Sequence, residues 1–129
     1  MLKHSQRVVI GDVQGCSKTL SKLLEQCGGM LGTFDVYFVG DLVNRGAGSL
    51  AVLELVRGAG FKTVLGNHEL YVLGVVAGAM PRKSDTLDAL FDSPQFTEWV
   101  EWLRFRPMLL EVEEHLIVHA GVHPTWTLA

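Results

Sequence analysis

Long apolar runs are missing from this chain of 129 residues. The longest, Leu70 to Met80, falls far short of the roughly 20 residues that a membrane span needs. The first seven residues are polar and lead straight into an apolar run, so they do not read as a secretory signal. Cysteine is scarce. Cys16 and Cys27 sit in the chain context of a reducing compartment, which predicts a buried small hydrophobe at each position and no bridge, and a cytoplasmic protein. A surplus of positive charge is also lacking: 11 Lys and Arg face 14 Asp and Glu, for a net charge of −3. No whole-molecule field therefore invites nucleic acid or an anionic membrane, and Arg82-Lys83 is too short a basic pair to supply one. Any pull on an anionic substrate must be local. Repeats, low-complexity tracts and signs of a protein partner are absent too. So is a dinucleotide fingerprint, because Gly11 and Gly15 do not make G-x-G-x-x-G.

What is present is a regular alternation of apolar runs and amphipathic stretches, on a length that favours one domain. Arg7 to Ile10 reads as a buried strand of the parallel kind. Ser17 is expected to cap a helix whose apolar residues Leu20, Leu23, Leu24 and Cys27 follow the 3.6 period, with Gly28 and Gly29 ending it. Val36 to Val39 reads as a second strand. Ser49 should cap a helix over residues 50–57 with Leu50, Leu53 and Val56 on one stripe, and Phe61 to Leu65 reads as a third strand. This βαβαβ order predicts three parallel neighbours in one sheet. A helix is expected from His68 through Val76. A polar surface excursion over 79–93, with a short helix from Asp85, should follow. The next helix is expected to have Pro94 at its first position and Phe96, Trp99, Val100 and Leu103 buried. Met108 to Val112 and Leu116 to His119 read as two strands joined around Glu113-Glu114, although no Asn-Gly or Asp-Gly marks the turn.

Chemistry concentrates where strands end. Gly11-Asp12-Val13-Gln14-Gly15 follows the first strand and Gly40-Asp41-Leu42-Val43-Asn44-Arg45-Gly46 the second. Gly66-Asn67-His68-Glu69 follows the third and His119-Ala120-Gly121 the last. In open α/β sheets ligands bind outside the carboxyl ends of the strands. The candidate ligating groups are carboxylate oxygen, amide oxygen and imidazole, without thiolate. That mixture suits Mn, Co, Fe, Zn or Mg and argues against a structural cysteine-type zinc site. Groups converging from several strands could hold two metal ions about 3.5–4 Å apart, the arrangement that clamps an in-line phosphoryl displacement. Bland alternatives stay open residue by residue. Asp12 or Asp41 could cap the next turn, His119 could be a satisfied core histidine, and Arg45 could be a solvated charge. His4, His115 and His123 have no motif support and read as surface. Trp99 and Trp102 read as packing, while Trp126 could be packing or a base-stacking platform.

The four motifs together resemble those of the calcineurin-like metallophosphoesterases, and the flanking residues 48–50, 64–68 and Pro124 with Trp126 resemble the symmetrical diadenosine tetraphosphatases among them. The resemblance runs from Val8 to the last residue. It implies an α/β fold in which a β-sandwich is flanked by helices in four layers, and residues 1–129 as the amino-terminal portion of such a catalytic domain, truncated at its carboxyl end. It implies two divalent cations, with Asp12 a ligand of the first, Asp41 bridging both, and Asn67 and His119 ligands of the second. His68 would protonate the leaving oxygen, and Arg45 would bind a phosphate of a dinucleoside polyphosphate. The implied reaction splits diadenosine tetraphosphate into two ADP. Gln14 stands where the family usually has a histidine ligand; its amide oxygen could ligate directly or orient a water. Asn44 replaces an aspartate of the related protein phosphatases, which speaks against that branch. The family's closing Gly-His segment has no counterpart. The alternatives are a phosphomonoesterase or Ser/Thr protein phosphatase of the same superfamily, or an inactive metal- or nucleotide-binding fragment.

Overall fold

The computed structural model describes residues 6–28 and 34–127. Three strands, β1 (Gln6–Ile10), β2 (Phe34–Phe38) and β3 (Lys62–Thr63), form one sheet in the order β1-β2-β3. Both pairings are parallel, with Val8 opposite Val36 and Ile10 opposite Phe38. The helices α1 (Ser17–Cys27) and α2 (Ser49–Gly58) connect the strands. They are followed by α3 (Asn67–Val76), the short α4 (Asp88–Phe91) and α5 (Phe96–Arg104). Two antiparallel strands, β4 (Leu109–Val112) and β5 (His115–Val118), close the described chain as a hairpin. Among the described residues no helix is long and apolar enough to cross a membrane.

Side chains alternate across a strand, and β2 uses both of its faces. Val36 and Phe38 point into a core completed by Leu20, Leu24, Val52, Leu53, Val56, Val72, Trp99 and Leu103 from the helices. Tyr37 and Val39 point the other way, where Ile117, Leu110 and Val112 of the hairpin meet them beside Val64. The layers are therefore helices, sheet, hairpin. The expected α/β architecture and its parallel βαβαβ order are present.

Several local expectations needed correction. β1 is not buried throughout: it is an edge strand, and Val9 remains 54% exposed on the hairpin side. β3 pairs over two residues instead of five, because its chain peels away from β2 and the Leu65 N–H donates to the Pro107 carbonyl at 2.9 Å. Ser17 and Ser49 do not cap their helices; each is the first helical residue, behind Cys16 and Gly48. The Ser49 hydroxyl is already committed, accepting the Asn44 N–H at 2.8 Å. Leu23 is exposed while Leu20 and Leu24 are buried. The helix expected from Asp85 starts at Asp88, since the Asp85 carboxylate takes the Leu87 N–H and makes a turn instead. Pro94 precedes α5, which begins at Phe96 after a turn in which the Ser93 hydroxyl accepts the Gln95 N–H. Cys16 is exposed and Cys27 half-buried, both free thiols and neither a core hydrophobe. The hairpin turn is made without glycine, at the cost of a left-handed Glu113 (φ 53°). Gly28 ends α1 in the left-handed conformation as expected; Gly29 and His4 lie outside the described residues.

Candidate metal centre

The carboxyl end of each strand that leads into a motif delivers one or two polar side chains to the same place. Asp12 comes after β1, Asp41 after β2, Asn67 and His68 at the start of α3, and His119 after β5. One ligand atom from each of Asp12, Asp41 and His119 lies within 4.8 Å of the others. The His119 Nε2 is 2.9 Å from Asn67 Oδ1 and 3.5 Å from Asp41 Oδ2. The His68 Nε2 stands 4.0 Å from the same Asp41 oxygen.

Asp41 is held by nearly every polar atom it has. Its carbonyl accepts the N–H groups of Val13 (3.0 Å) and Gln14 (2.8 Å), its N–H donates to Glu69 Oε2 (2.8 Å), and its Oδ1 accepts the His68 N–H (3.0 Å). This over-determination sustains a left-handed Asp41 (φ 51°), a conformation that costs a non-glycine residue about 1–3 kcal/mol. The neighbouring loops leave no room for side chains. A Cβ on Gly40 would sit 2.4 Å from the Gly66 nitrogen, and a Cβ on Gly66 would sit 2.2 Å from Asp41 Oδ1.

Glu69 is the fastener beneath the site. Fully enclosed, it accepts the N–H groups of Asp41, Leu42, Val43 and Gly66 at 2.7–3.2 Å. Burial pushes its carboxyl above the ordinary carboxylate range, while those four N–H groups pull it back down. Sequence reading passed over Glu69 although it stands three residues after Gly66. That is the spacing at which a glutamate reaches back to the start of its own helix.

The two histidines are oriented by backbone carbonyls. His68 Nδ1 lies 2.8 Å from the Val43 carbonyl and His119 Nδ1 lies 2.8 Å from the Val39 carbonyl. A carbonyl only accepts, so in both rings Nδ1 carries the hydrogen and Nε2 is the working atom. A His119 Nε2 lone pair would face the Asn67 amide oxygen and the Asp41 carboxylate, and three such atoms at these distances could share a cation. The donor set of carboxylate, amide and imidazole fits a divalent cation of the Mn, Fe, Co, Zn or Mg kind.

Two expected site residues make no side-chain hydrogen bond to this cluster among the described residues. Gln14 contributes through its backbone: it is left-handed (φ 48°), its N–H donates to Asp41 and its carbonyl accepts the Gly46 N–H at 2.7 Å. Its side-chain amide makes no hydrogen bond among the described residues. Arg45 is exposed, and its guanidinium is likewise unpaired among them. It sits with Asn44 in two consecutive left-handed residues (φ 68° and 74°). The Asn44 side chain does not turn toward His68. Its Oδ1 accepts from the Arg45 N–H (2.9 Å) and from both the N–H (3.2 Å) and the hydroxyl (3.3 Å) of Thr86. Thr86 is a second residue that sequence reading missed, lying 42 positions away on the polar excursion.

Comparison with known proteins agrees with this geometry. Residues 7–128 match the calcineurin-like phosphoesterase family. The chain is 45% identical over 122 residues to the symmetrical bis(5'-nucleosyl)-tetraphosphatase of Dechloromonas aromatica, covering 92% of this chain and 44% of that protein. To the protein of the same name in Bordetella pertussis it is 47% identical over 126 residues, covering 93% and 45%. It thus spans less than half the length of either relative. A crystal structure of a proposed diadenosine tetraphosphatase superposes with a TM-score of 0.80 at 27% identity, covering 99% of this chain and 56% of that one. The chain is a member of the calcineurin-like phosphoesterase family.

Proposed function

We propose that the chain carries the phosphoanhydride-cleaving site of a metal-dependent hydrolase that splits diadenosine tetraphosphate into two ADP. The observation that carries this reading is the convergence of Asp12, Asp41 and His119, with Asn67 and His68 at the edge of the group. The relatives named for this reaction support the choice of substrate.

In this reading Asp12 would hold one divalent cation, Asn67 and His119 would hold a second, and Asp41 would serve both. Gln14 serves the first site through its amide oxygen, or by orienting a water. Bound there, divalent cations would supply Lewis acidity toward the phosphoryl oxygens and offset their charge. Water adds to phosphorus as the central P–O–P linkage breaks, and the departing ADP oxygen takes a proton from His68 Nε2. The Val43 carbonyl holds the Nδ1 hydrogen, so His68 gives its proton from Nε2 as an imidazolium, becomes the neutral ring, and regains a proton through solvent from the one that the attacking water sheds. Arg45, its guanidinium unpaired among the described residues, would hold the phosphate chain, a partner its planar fork of donors suits.

The test supplies the purified chain with Mn²⁺ and diadenosine tetraphosphate. ADP as sole nucleotide product supports the reading; ATP with AMP, turnover confined to p-nitrophenyl phosphate, or no turnover overturns it. His68→Asn should then lower kcat by about 10²–10⁴ with metal content unchanged, as expected for loss of a general acid.

A further inference from the structure

On the Asn67 and His119 side of the cluster lies a cavity of about 450 Å³. Those two residues line it together with Leu70, Met108, Val122 and Trp126. No Asp, Glu, Lys or Arg lines it. The volume falls within the roughly 300–1,000 Å³ of small-molecule sites. All four of those apolar side chains are exposed, and Trp126, at 69%, is the most exposed large hydrophobic residue among those described. Large apolar side chains left open together, and rimmed by polar groups, mark a binding surface.

The tryptophan is presented on an ordered turn. Its N–H donates to the His123 carbonyl at 2.9 Å, and the His123 Nδ1 lies 2.7 Å from the Thr125 hydroxyl oxygen. A wall without charge cannot attract phosphate. An indole face, a thioether and aliphatic groups suit a flat, weakly polar ring. Because Asn67 and His119 belong to both places, a nucleotide with phosphates at the cluster could extend its ribose and base toward this cavity.

We infer that this cavity is a nucleobase subsite, in which Trp126 stacks on the base of a nucleotide whose phosphates occupy the metal cluster. The inference rests on the hydrolase reading above and adds the part of the substrate that the motifs do not address. Base–aromatic stacking is tolerant of base identity, so the subsite would take purines broadly.

The test titrates the Mn²⁺-loaded full chain with ADP and with pyrophosphate, reading affinity by calorimetry and stacking by tryptophan fluorescence. ADP should quench the wild type, and Trp126→Ala should abolish the quench, since Trp99 is buried and Trp102 half-buried. Trp126→Ala should weaken ADP about 5- to 100-fold and leave pyrophosphate unchanged, and Trp126→Phe should recover most of the loss. Equal ADP affinity in Trp126→Ala, or equal weakening of pyrophosphate, overturns the subsite. Failure of ADP to quench the wild type while pyrophosphate binds also overturns it, as expected if polypeptide covers the cavity. If neither ligand binds the metal-loaded protein, the hydrolase reading falls and the subsite with it. If the ADP pattern holds but diadenosine tetraphosphate is not cleaved, the subsite stands and only the reaction is wrong.

Discussion

Glu69 is not itself a proposed ligand, yet four buried N–H groups, that of Asp41 among them, depend on its two oxygens. Glutamine offers one acceptor in place of two and would turn an amide N–H against donors. Each orphaned buried group costs about 1–3 kcal/mol, so Glu69→Gln should lower unfolding free energy by about 2–4 kcal/mol, read from urea titrations. Gly66→Ala works by a different route. Its Cβ would collide with Asp41 Oδ1, so calorimetric Mn²⁺ binding should weaken by tenfold or more even where folding survives. Unchanged affinity would mean that Asp41 is not a ligand. At this scale the sequence was informative where a side chain's job is local to its motif. Asp12, Asp41, Asn67, His68 and His119 each follow a strand end, and topology alone gathers them. It was uninformative for Asn44 and Gln14. The bonds that decide their roles come from Thr86 and Gly46, far away in the chain, and no spacing rule encodes them.

Among the elements, the excursion over 79–93 turns out to be a built structure and not a slack loop. Arg82 grips Asp85 and Asp88, and Tyr71 donates to Asp85 at 2.9 Å. The Thr86 hydroxyl reaches across to Asn44 and to the Gly46 carbonyl (3.0 Å). Thr86→Val should therefore loosen the Arg45 loop, and amide exchange at 44–46 should quicken by about tenfold, the equivalent of one hydrogen bond's net worth. The latch has a pH signature. The Arg82 guanidinium, aided by the Leu87 N–H and the Tyr71 hydroxyl, holds the Asp85 carboxyl down to about 2 against an ordinary 3.8, while burial opposes them. A depressed folded value stabilises above the unfolded one and is lost as pH falls through the folded one. The contribution, about 2 kcal/mol, should be complete above roughly pH 5 and vanish near pH 2. Urea midpoints of wild type and Asp85→Asn should differ at neutral pH and converge toward pH 2; a constant gap would contradict the latch. Helix existence was legible here from 3.6 periodicity, but helix starts were not. Ser49 and Asp85 found better partners than a helix terminus, and those partners are tertiary.

The whole molecule is a parallel sheet with helices on one face and a hairpin on the other, and the site sits at the rim where those layers meet. Its proposed ligands come from both layers: Asp12, Asp41 and Asn67 from the segments that follow the sheet's strands, His119 from the end of the hairpin. A cation bound there ties the hairpin to the sheet, so it should stabilise the fold by mass action, about 2.7 kcal/mol at a hundred times its dissociation constant. Thermal unfolding of wild type should shift upward with Mn²⁺, and that of Asp41→Asn should not. The parallel βαβαβ order was legible from the alternation of apolar runs. The open flank of β1 was not, because Val9 looks like any core valine until its neighbours are known. The mutual hydrogen bonds among the 12–15, 41–46 and 66–69 loops also bear on engineering. Each loop is written into the backbone of the others through Asp41, Gln14 and Glu69, so none can be exchanged alone without unseating the rest. Altered selectivity would have to be sought in the segments that lean on this knot without being tied into it, chiefly 79–93 and 120–127. The chemistry would then be inherited as a block while recognition is rewritten around it.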